Sequence, residues 1–380
     1  MTYQAWVDAV AEAQRLIADP PFEATEVERA EGQDYLSGLI RSSIQMAFDH
    51  DVTHPVLINP THQYARQGLD NPDAVYFNAP LTSDASYVVR GRRGTTTDLS
   101  FQIMDGTYSD AGAPNTVIAF DDRELDVAED GTFAWHFGAA LGLAKGATLI
   151  VREVYSDWSA EERGTLWIER TDTLGTPRAA VTAQTMEKKY GVAAKLLLGR
   201  ITTWFAFPEW FTYKEPVNTL TVPASTPGGL ASQFSSIGHY ALTPAEALVV
   251  TVPACDAAPY QAIQIGSRWY ASTDYEHHQT SLTRAQSQVS GDGLLRYVIT
   301  ERDPGLANWL ETTGHDRGVM MLRWQRTSRD LGASDGPQVE VVPFASLSGR
   351  DDLDDQRVTP EQYADRIAAR QVGVARRMIS

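Results

Sequence analysis

Short apolar runs, four to eight residues long and closed off by Gly, Asp, Asn or Ser, recur from Ala74 onward. This rhythm restricts the fold more than any other feature of the chain. Between Ala74 and Arg170 the runs are AVYFNAPL, SYVVRG, LSFQIM, TVIAF, FAWHF, TLIVREVY and GTLWIER. A second set follows: HYAL (239–242), ALVVTVP (247–253), YQAIQIG (260–266), LLRYVIT (294–300), VMMLRWQ (319–325) and QVEVVPF (338–344). Each run has strand length, and turns rather than helices separate them, so the spacing predicts antiparallel sandwiches or jelly rolls and not βαβ units. No GxGxxG or Walker-type loop joins a strand to a helix, which excludes Rossmann and P-loop readings. Gly91 and Gly94 in RGRRG precede another strand, so they read as turn glycines and not as phosphate holders.

Helical spacing appears in four places. Trp6, Val7, Val10, Ala13, Leu16 and Ile17 mark a helix that Pro20-Pro21 stops, and a second runs from about Glu26 to Asp49. A middle helix is expected over Ala179–Trp204, ending in the aromatic stretch ITTWFAFPEWFTY. That stretch is either a core helix docked on a sheet or an aromatic wall over an apolar ligand. The last helix has Thr359 as N-cap, Pro360 at its first position and Gln362 as the capping-box partner. The expected fold is therefore mainly β with helical additions: two antiparallel β-sandwich or jelly-roll-like domains with N-terminal, middle and C-terminal helices. The divisions are 1–72 helical, 73–175 first sandwich, 176–232 connector with a linker at 216–229, 233–346 second sandwich and 347–380 C-terminal helix.

The two strand sets resemble each other. EDGTFAWHF followed by KGATLIVREVY parallels GDGLLRYVI followed by RGVMMLRWQRT. The second copy carries about ten extra residues between these strands, within RDPGLANWLETTGH (302–315), and an enlarged loop on a duplicated scaffold is where function tends to sit. Asp303-Pro304-Gly305 should turn the chain into it, Asn308 should tie it down and Trp309 should anchor it.

Composition removes several classes of function. At 43% hydrophobic and 21% charged residues the chain can build a core. A net charge of −17 argues against nucleic-acid or anionic-membrane partners. The single cysteine, Cys255, excludes an intrachain disulfide framework and reads as a packed apolar residue. The N-terminal sequence lacks a basic region followed by an apolar run, and no apolar stretch is long enough to cross a bilayer, so a cytoplasmic location is expected.

The candidate chemistry gathers in the second strand set. His278, His315 and Asp303, assisted by Tyr275, could serve as acid–base groups near neutral pH. Trp269, Asn308, Trp309, Arg323, Asn78 and Arg90 are the candidate ligand-binding positions. Arg90 and Arg323 each interrupt or end an apolar run, and a buried arginine needs an anion, either an internal carboxylate or one on a substrate. Adjacent His277 and His278 would face opposite ways on an extended segment, and no HxH, HExxH or cupin-like spacing occurs, so no metal or other cofactor is expected. A metal-assisted hydrolase or lyase would need His278, His315 and Asp274 to converge. No GxSxG elbow occurs. These residues support an enzyme on a small, largely apolar organic metabolite with a polar or carboxylate handle, or alternatively a non-catalytic binding or accessory protein for a hydrophobic metabolite. Self-association is left open.

YFNAPLTSDASYVVRGRRGT and LIVREVYSDWSAEERGTLWIER resemble the first half of bacterial proteins ending in domain of unknown function 1214. YQAIQIGSRWYASTDYEHHQT with RDPGLANWLETTGHDRGVMMLRWQR resembles that domain itself, and the related domain 1254 often accompanies it. The resemblance covers roughly 70–170 and 236–326. It implies paired β-sandwiches and a catabolic setting, and it points to Asn78, Arg90, Gly91, Gly94, Trp269, Tyr275, His278, Arg302, Asp303, Asn308, Trp309, His315 and Arg323. The chain departs from its relatives at His277, where an aromatic or basic residue is common.

Overall fold

The computed structural model describes residues 3–109, 112–225, 230 and 232–378. Two helices open the chain, α1 (Gln4–Ala18) and α2 (Glu26–Asp49). In α2 a capping box forms between Thr25 and Glu28, each side chain accepting from the other's backbone N–H. The first strand set is β1 (Ala74–Pro80), β2 (Ser86–Arg92), β3 (Asp98–Asp105), β4 (Asn115–Asp121), β5 (Thr132–Gly138), β6 (Thr148–Val154) and β7 (Thr165–Arg170). The long helix α3 (Ala183–Trp210) follows, then the short strands β8 (Thr219–Leu220) and β9 (Ala224–Ser225). The second set is β10 (Phe234–Ala241), β11 (Glu246–Pro253), β12 (Tyr260–Gly266), β13 (Ser281–Thr283), β14 (Leu294–Thr300), β15 (Trp309–Glu311), β16 (Arg317–Gln325) and β17 (Gln338–Pro343). The helix α4 (Pro360–Met378) comes last, with the Thr359–Gln362 capping box in place.

Each strand set forms two packed sheets. In the first, β1-β6-β3-β4 faces β5-β2-β7. In the second, β13-β12-β16-β10-β8 faces β15-β14-β11-β17. The two cores are separate, one around Phe101, Val89 and Leu149 and the other around Val250, Tyr297 and Trp324. The topologies match strand for strand. The path β1-β6-β3-β4 corresponds to β10-β16-β12-β13, and β5-β2-β7 corresponds to β14-β11-β17. The internal repeat seen in the sequence is therefore a repeat of connectivity. The second copy adds β8 and β9 at one edge, and it adds β15 within the enlarged interval, paired in parallel with β14.

α1, α2 and α3 pack together around Ala13, Leu39 and Leu197, with Trp269 from the second copy set into the same layer. α3 extends to Trp210, beyond the expected end, and holds Pro208 in its last turns. The seam between the copies combines an apolar patch of Ala74, Val154, Tyr260 and Ala262 with polar contacts. Tyr260 Oη donates to Asp73 at 2.7 Å, and Arg326 pairs with Asp122. α4 crosses the seam: Arg370 donates to the carbonyls of Tyr275 and Ser281, Arg377 donates to that of Pro72, and both guanidinium groups lie over the Trp158 ring. The end of the expected linker, 226–229, lies outside the described residues. Among the described residues, no helix is long and apolar enough to cross a membrane.

Candidate functional site: a cavity between the two copies

Side chains alternate across a strand, so each sandwich has an inner face that makes its core and an outer face. On β6, Leu149 and Val151 point into the core, which leaves Ile150, Arg152 and Val154 on the outside. On β16, Met320, Leu322 and Trp324 point in, and Met321, Arg323 and Gln325 point out. These two outer faces line one cavity of about 330 Å³. α3 contributes Arg200, Thr203, Trp204 and Phe207 to its wall, and Tyr108 and Tyr270 extend the aromatic side. Trp204 packs against Tyr108, Phe207 and Tyr270 with ring centroids 5.4–6.3 Å apart. A cavity of this size, mostly apolar with a few fixed polar groups, is the usual form of a small-molecule site.

Those polar groups include three arginines. Arg152 donates to Gln102 Oε1 at 2.9 Å, and its Nη1 is buried with no hydrogen-bond partner. Arg323 is only 8% exposed, and it donates to Gln264 Oε1 and, at 2.7 Å, to the Leu69 carbonyl. Arg200 on α3 donates to Ser42 Oγ at 2.6 Å and contacts Met46 Sδ, and burial pushes its pKa down to about 10. The Arg152–Gln102 and Arg323–Gln264 pairs occupy equivalent places in the two copies. Gln102 sits opposite Ile150 on the β3–β6 ladder, two residues before Arg152, and Gln264 sits opposite Met321 on the β12–β16 ladder, two residues before Arg323. Tyr76 Oη, which accepts from the Asn71 N–H at 2.9 Å, lies within the fields of both Arg152 and Arg323. Its burial nevertheless raises its pKa.

A strap of chain closes one side of the cavity. Gly68 and Leu69 both have positive φ, 68° and 48°, and so does Tyr270 at 54°. The Leu69 N–H donates to the Tyr270 carbonyl at 2.7 Å, joining two strained residues directly. Strain of this kind costs about 1–3 kcal/mol per residue and persists where the surroundings over-determine it. A Cβ on Gly68 would lie 2.7 Å from the Trp204 ring, so only glycine fits. Asp70, next on the strap, is buried. Its carboxylate accepts from Ser272 N–H at 3.0 Å and Ser272 Oγ at 2.8 Å. Burial raises its pKa above the usual carboxyl value, against the lowering influence of the Ser272 donors and the Arg66 and Arg323 charges.

The structure brings Asn78 and Arg323 to this cavity and places the other candidates elsewhere. His278 Nδ1 contacts Glu311 Oε2 at 2.8 Å. His315 is buried, its Nε2 2.7 Å from Glu31 on α2 and its Nδ1 2.7 Å from the Thr312 carbonyl. Burial pulls the His315 pKa down, but the Glu31 hydrogen bond and charge, with the Thr312 carbonyl, outweigh it and leave it raised. The Asp303 carboxylate accepts from the Gly305 N–H at 2.7 Å and shapes the expected turn, in which Gly305 has φ 67°. Tyr275 is buried against Trp158, with burial raising its pKa. These four groups share no partner, and none lines the cavity.

The binding candidates divide in the same way. Trp269 is buried under α2, its Nε1 donating to the Glu28 carbonyl at 2.8 Å. Asn308 ties the enlarged loop down: its Nδ2 donates to the Gln288 and Arg296 carbonyls, and its Oδ1 accepts from Gln288 N–H. Trp309 is 5% exposed and donates to the Thr300 carbonyl at 2.8 Å. Arg90 is 3.6 Å from Glu169, an internal carboxylate, on the far sheet of the first copy. Asp274 pairs with His277, not with His278. Among the described residues, no group of three or more His, Cys, Asp or Glu is arranged to hold a metal ion.

No family model matches the chain, and no curated protein matches it. The crystal structure of an uncharacterized protein from Burkholderia cenocepacia shares the fold at a TM-score of 0.79. It is 28% identical, with 91% of this chain and 97% of that chain covered. A protein from Vibrio parahaemolyticus aligns over 82% of this chain and 99% of its own, at 14% identity and a TM-score of 0.43.

Proposed function

We propose that this chain binds a small, largely apolar organic molecule with a polar handle in the cavity between its two copies. The carrying observation is the aromatic wall of α3, Trp204 and Phe207 with Tyr108 and Tyr270, set across from polar side chains that the outer sheet faces hold in place. An apolar body against the rings and a polar end toward the sheets would satisfy both sides. Binding is favoured over acid–base catalysis by His278, His315 and Asp303, because each of those has its own local partner away from the cavity. Turnover is the second reading, favoured by Asp70, a buried carboxyl on the wall that its surroundings hold toward the protonated form.

The test is uptake of N-phenyl-1-naphthylamine, a neutral dye that fluoresces in apolar sites. Gly199 stands exposed at the rim of the cavity on α3, and a Cβ there meets no neighbour, so Gly199→Phe should obstruct the mouth of the site without disturbing the helix. The expected result is saturable binding near one equivalent by the wild type, lost in Gly199→Phe. No uptake by the wild type, or equal uptake by both proteins, overturns the reading.

A further inference from the structure

The cavity wall is cationic inside an acidic protein. Arg152, Arg200 and Arg323 all line it, and Asp70 is the one acid on the described lining. The chain as a whole carries −17. Positive charge drawn partly out of water is unfavourable unless something neutralises it. Several arginines elsewhere are neutralised internally: Arg93, Arg296, Arg326 and Arg350 each lie within 4 Å of a carboxylate, whereas Arg370 on α4 is held by the Tyr275 and Ser281 carbonyls in the field of Asp73. None of the three cavity arginines has a carboxylate within that distance among the described residues. Each is instead held by neutral acceptors: Gln102, Gln264 with the Leu69 carbonyl, and Ser42. A neutral acceptor orients a guanidinium and leaves its charge unspent.

The equivalence of the two copies sharpens this. The repeat has placed the same arrangement, an arginine steadied by a glutamine two positions back on the neighbouring strand, on both outer faces, and the faces converge on one space. Arg152 still has a buried N–H group with no acceptor, and the buried Gln325 Oε1, also on the lining, has no donor. The first asks for an acceptor, which a carboxylate supplies; the second asks for a donor, which a carboxylate does not. Planar, forked guanidinium groups match the two oxygens of a carboxylate, and charge-assisted hydrogen bonds of this kind are about twice as strong as neutral ones.

We infer that the ligand of this cavity is an organic acid whose carboxylate is received by Arg152 together with Arg323 and Arg200, while its apolar body lies on Trp204 and Phe207. The inference rests on the binding reading above and adds the chemical class of the ligand.

Isothermal calorimetry with 1-naphthoate and its neutral isostere 1-naphthamide tests it, because the two differ in charge and hardly in shape. The wild type should bind naphthoate at least about tenfold more tightly than naphthamide, the size expected for one charge-assisted contact. Arg152→Gln should lower the ratio several-fold, chiefly by weakening naphthoate. Arg152 is only half-buried, so this variant should fold, and a thermal melt checks that. Arg152→Lys keeps the charge without the fork and should restore part of the preference. Equal affinity for both compounds, with both lost in Gly199→Phe, would leave the binding reading standing and end the organic-acid inference. A preference that survives unchanged in Arg152→Gln would also end it. Heat from neither compound would overturn the inference and the binding reading together.

Discussion

The two copies share a connectivity but are finished differently, and the difference separates what the enlarged loop does from what the outer faces do. In the first copy β5 passes to β6 through the short turn-rich segment 139–147. In the second, the equivalent passage takes in Asp303, Asn308, Trp309 and His315 and lays down β15 as an extra strand on the β14 edge. An enlargement on one repeat invites a functional reading. Its residues are instead occupied in building: Asn308 satisfies three backbone groups, Trp309 fills and caps, and His315 reaches across to α2. The cavity lies where the copies are alike, at outer faces whose Arg–Gln pairs match. Difference between repeats marks how each was stabilised, and likeness between repeats marks what they hold in common.

The comparison can be broken most forcefully at Trp309. If β15 is a structural addition, Trp309→Ala should lose about 3–5 kcal/mol in urea unfolding, as expected for a large buried ring. A silent substitution would return the loop to candidacy as a mobile functional element. The equivalent arginines come next. Arg323→Met removes a buried charge but orphans Gln264 Oε1 and the Leu69 carbonyl, for a loss of about 2–3 kcal/mol. Arg152→Met, half-buried and bonded to one glutamine, should lose less than about 1 kcal/mol. Similar losses at the two positions would mean that the strap held by Arg323 contributes little. A smaller effect depends on pH. His315 has a raised pKa in the fold, so its pairing with Glu31 contributes fully below the pKa of the unfolded chain and is lost as pH rises through the folded value. The melting-temperature gap between wild type and His315→Gln should therefore be wider at pH 6 than at pH 9. A gap that widens toward pH 9 would contradict the assignment. The smallest effect is expected at Asp303→Ala, about 0.5–1 kcal/mol for one exposed turn hydrogen bond, with ligand uptake unchanged.

Strands were legible because their signal is local. Runs such as SYVVRG and YQAIQIG carry their own boundaries, and β2 and β12 fall where the alternation places them. β13 and β15 were not legible. Each is three residues long, and β15 is held by a parallel pairing and by Gln279 rather than by a pattern of its own. The α3 aromatics were visible as either core or ligand wall, and they are divided between the two: Phe205 packs on Trp269, while Trp204 and Phe207 line the cavity. Arg323 was flagged by its place inside an apolar run. Arg152 interrupts the run TLIVREVY in the same way, but nothing in that run tells a solvent-facing arginine from one that lines a cavity. Its half-burial arises only when a second sheet, 170 residues away in sequence, presents its own outward face, and no window of sequence contains both. The histidines show the converse: gathered in the second strand set by sequence, His277, His278 and His315 each meet a different carboxylate in space.

The brace supplied by α4 has a consequence for how the molecule is made. The two strand sets are each able to close their own cores, and during synthesis domains generally fold as units from the N-terminal side. The second set is complete once β16 and β17 have emerged, yet the arginines that bond Pro72 on one side of the seam and Tyr275 and Ser281 on the other lie beyond both. Arg377 comes about thirty-four residues after the end of β17, a few seconds of elongation at roughly 5–20 residues per second. Through that interval the copies are tethered by the α3 connector and the contacts along the seam, without their final cross-tie. A nascent chain stalled before residue 360 should therefore hold two formed sandwiches whose shared space is still open to adjustment.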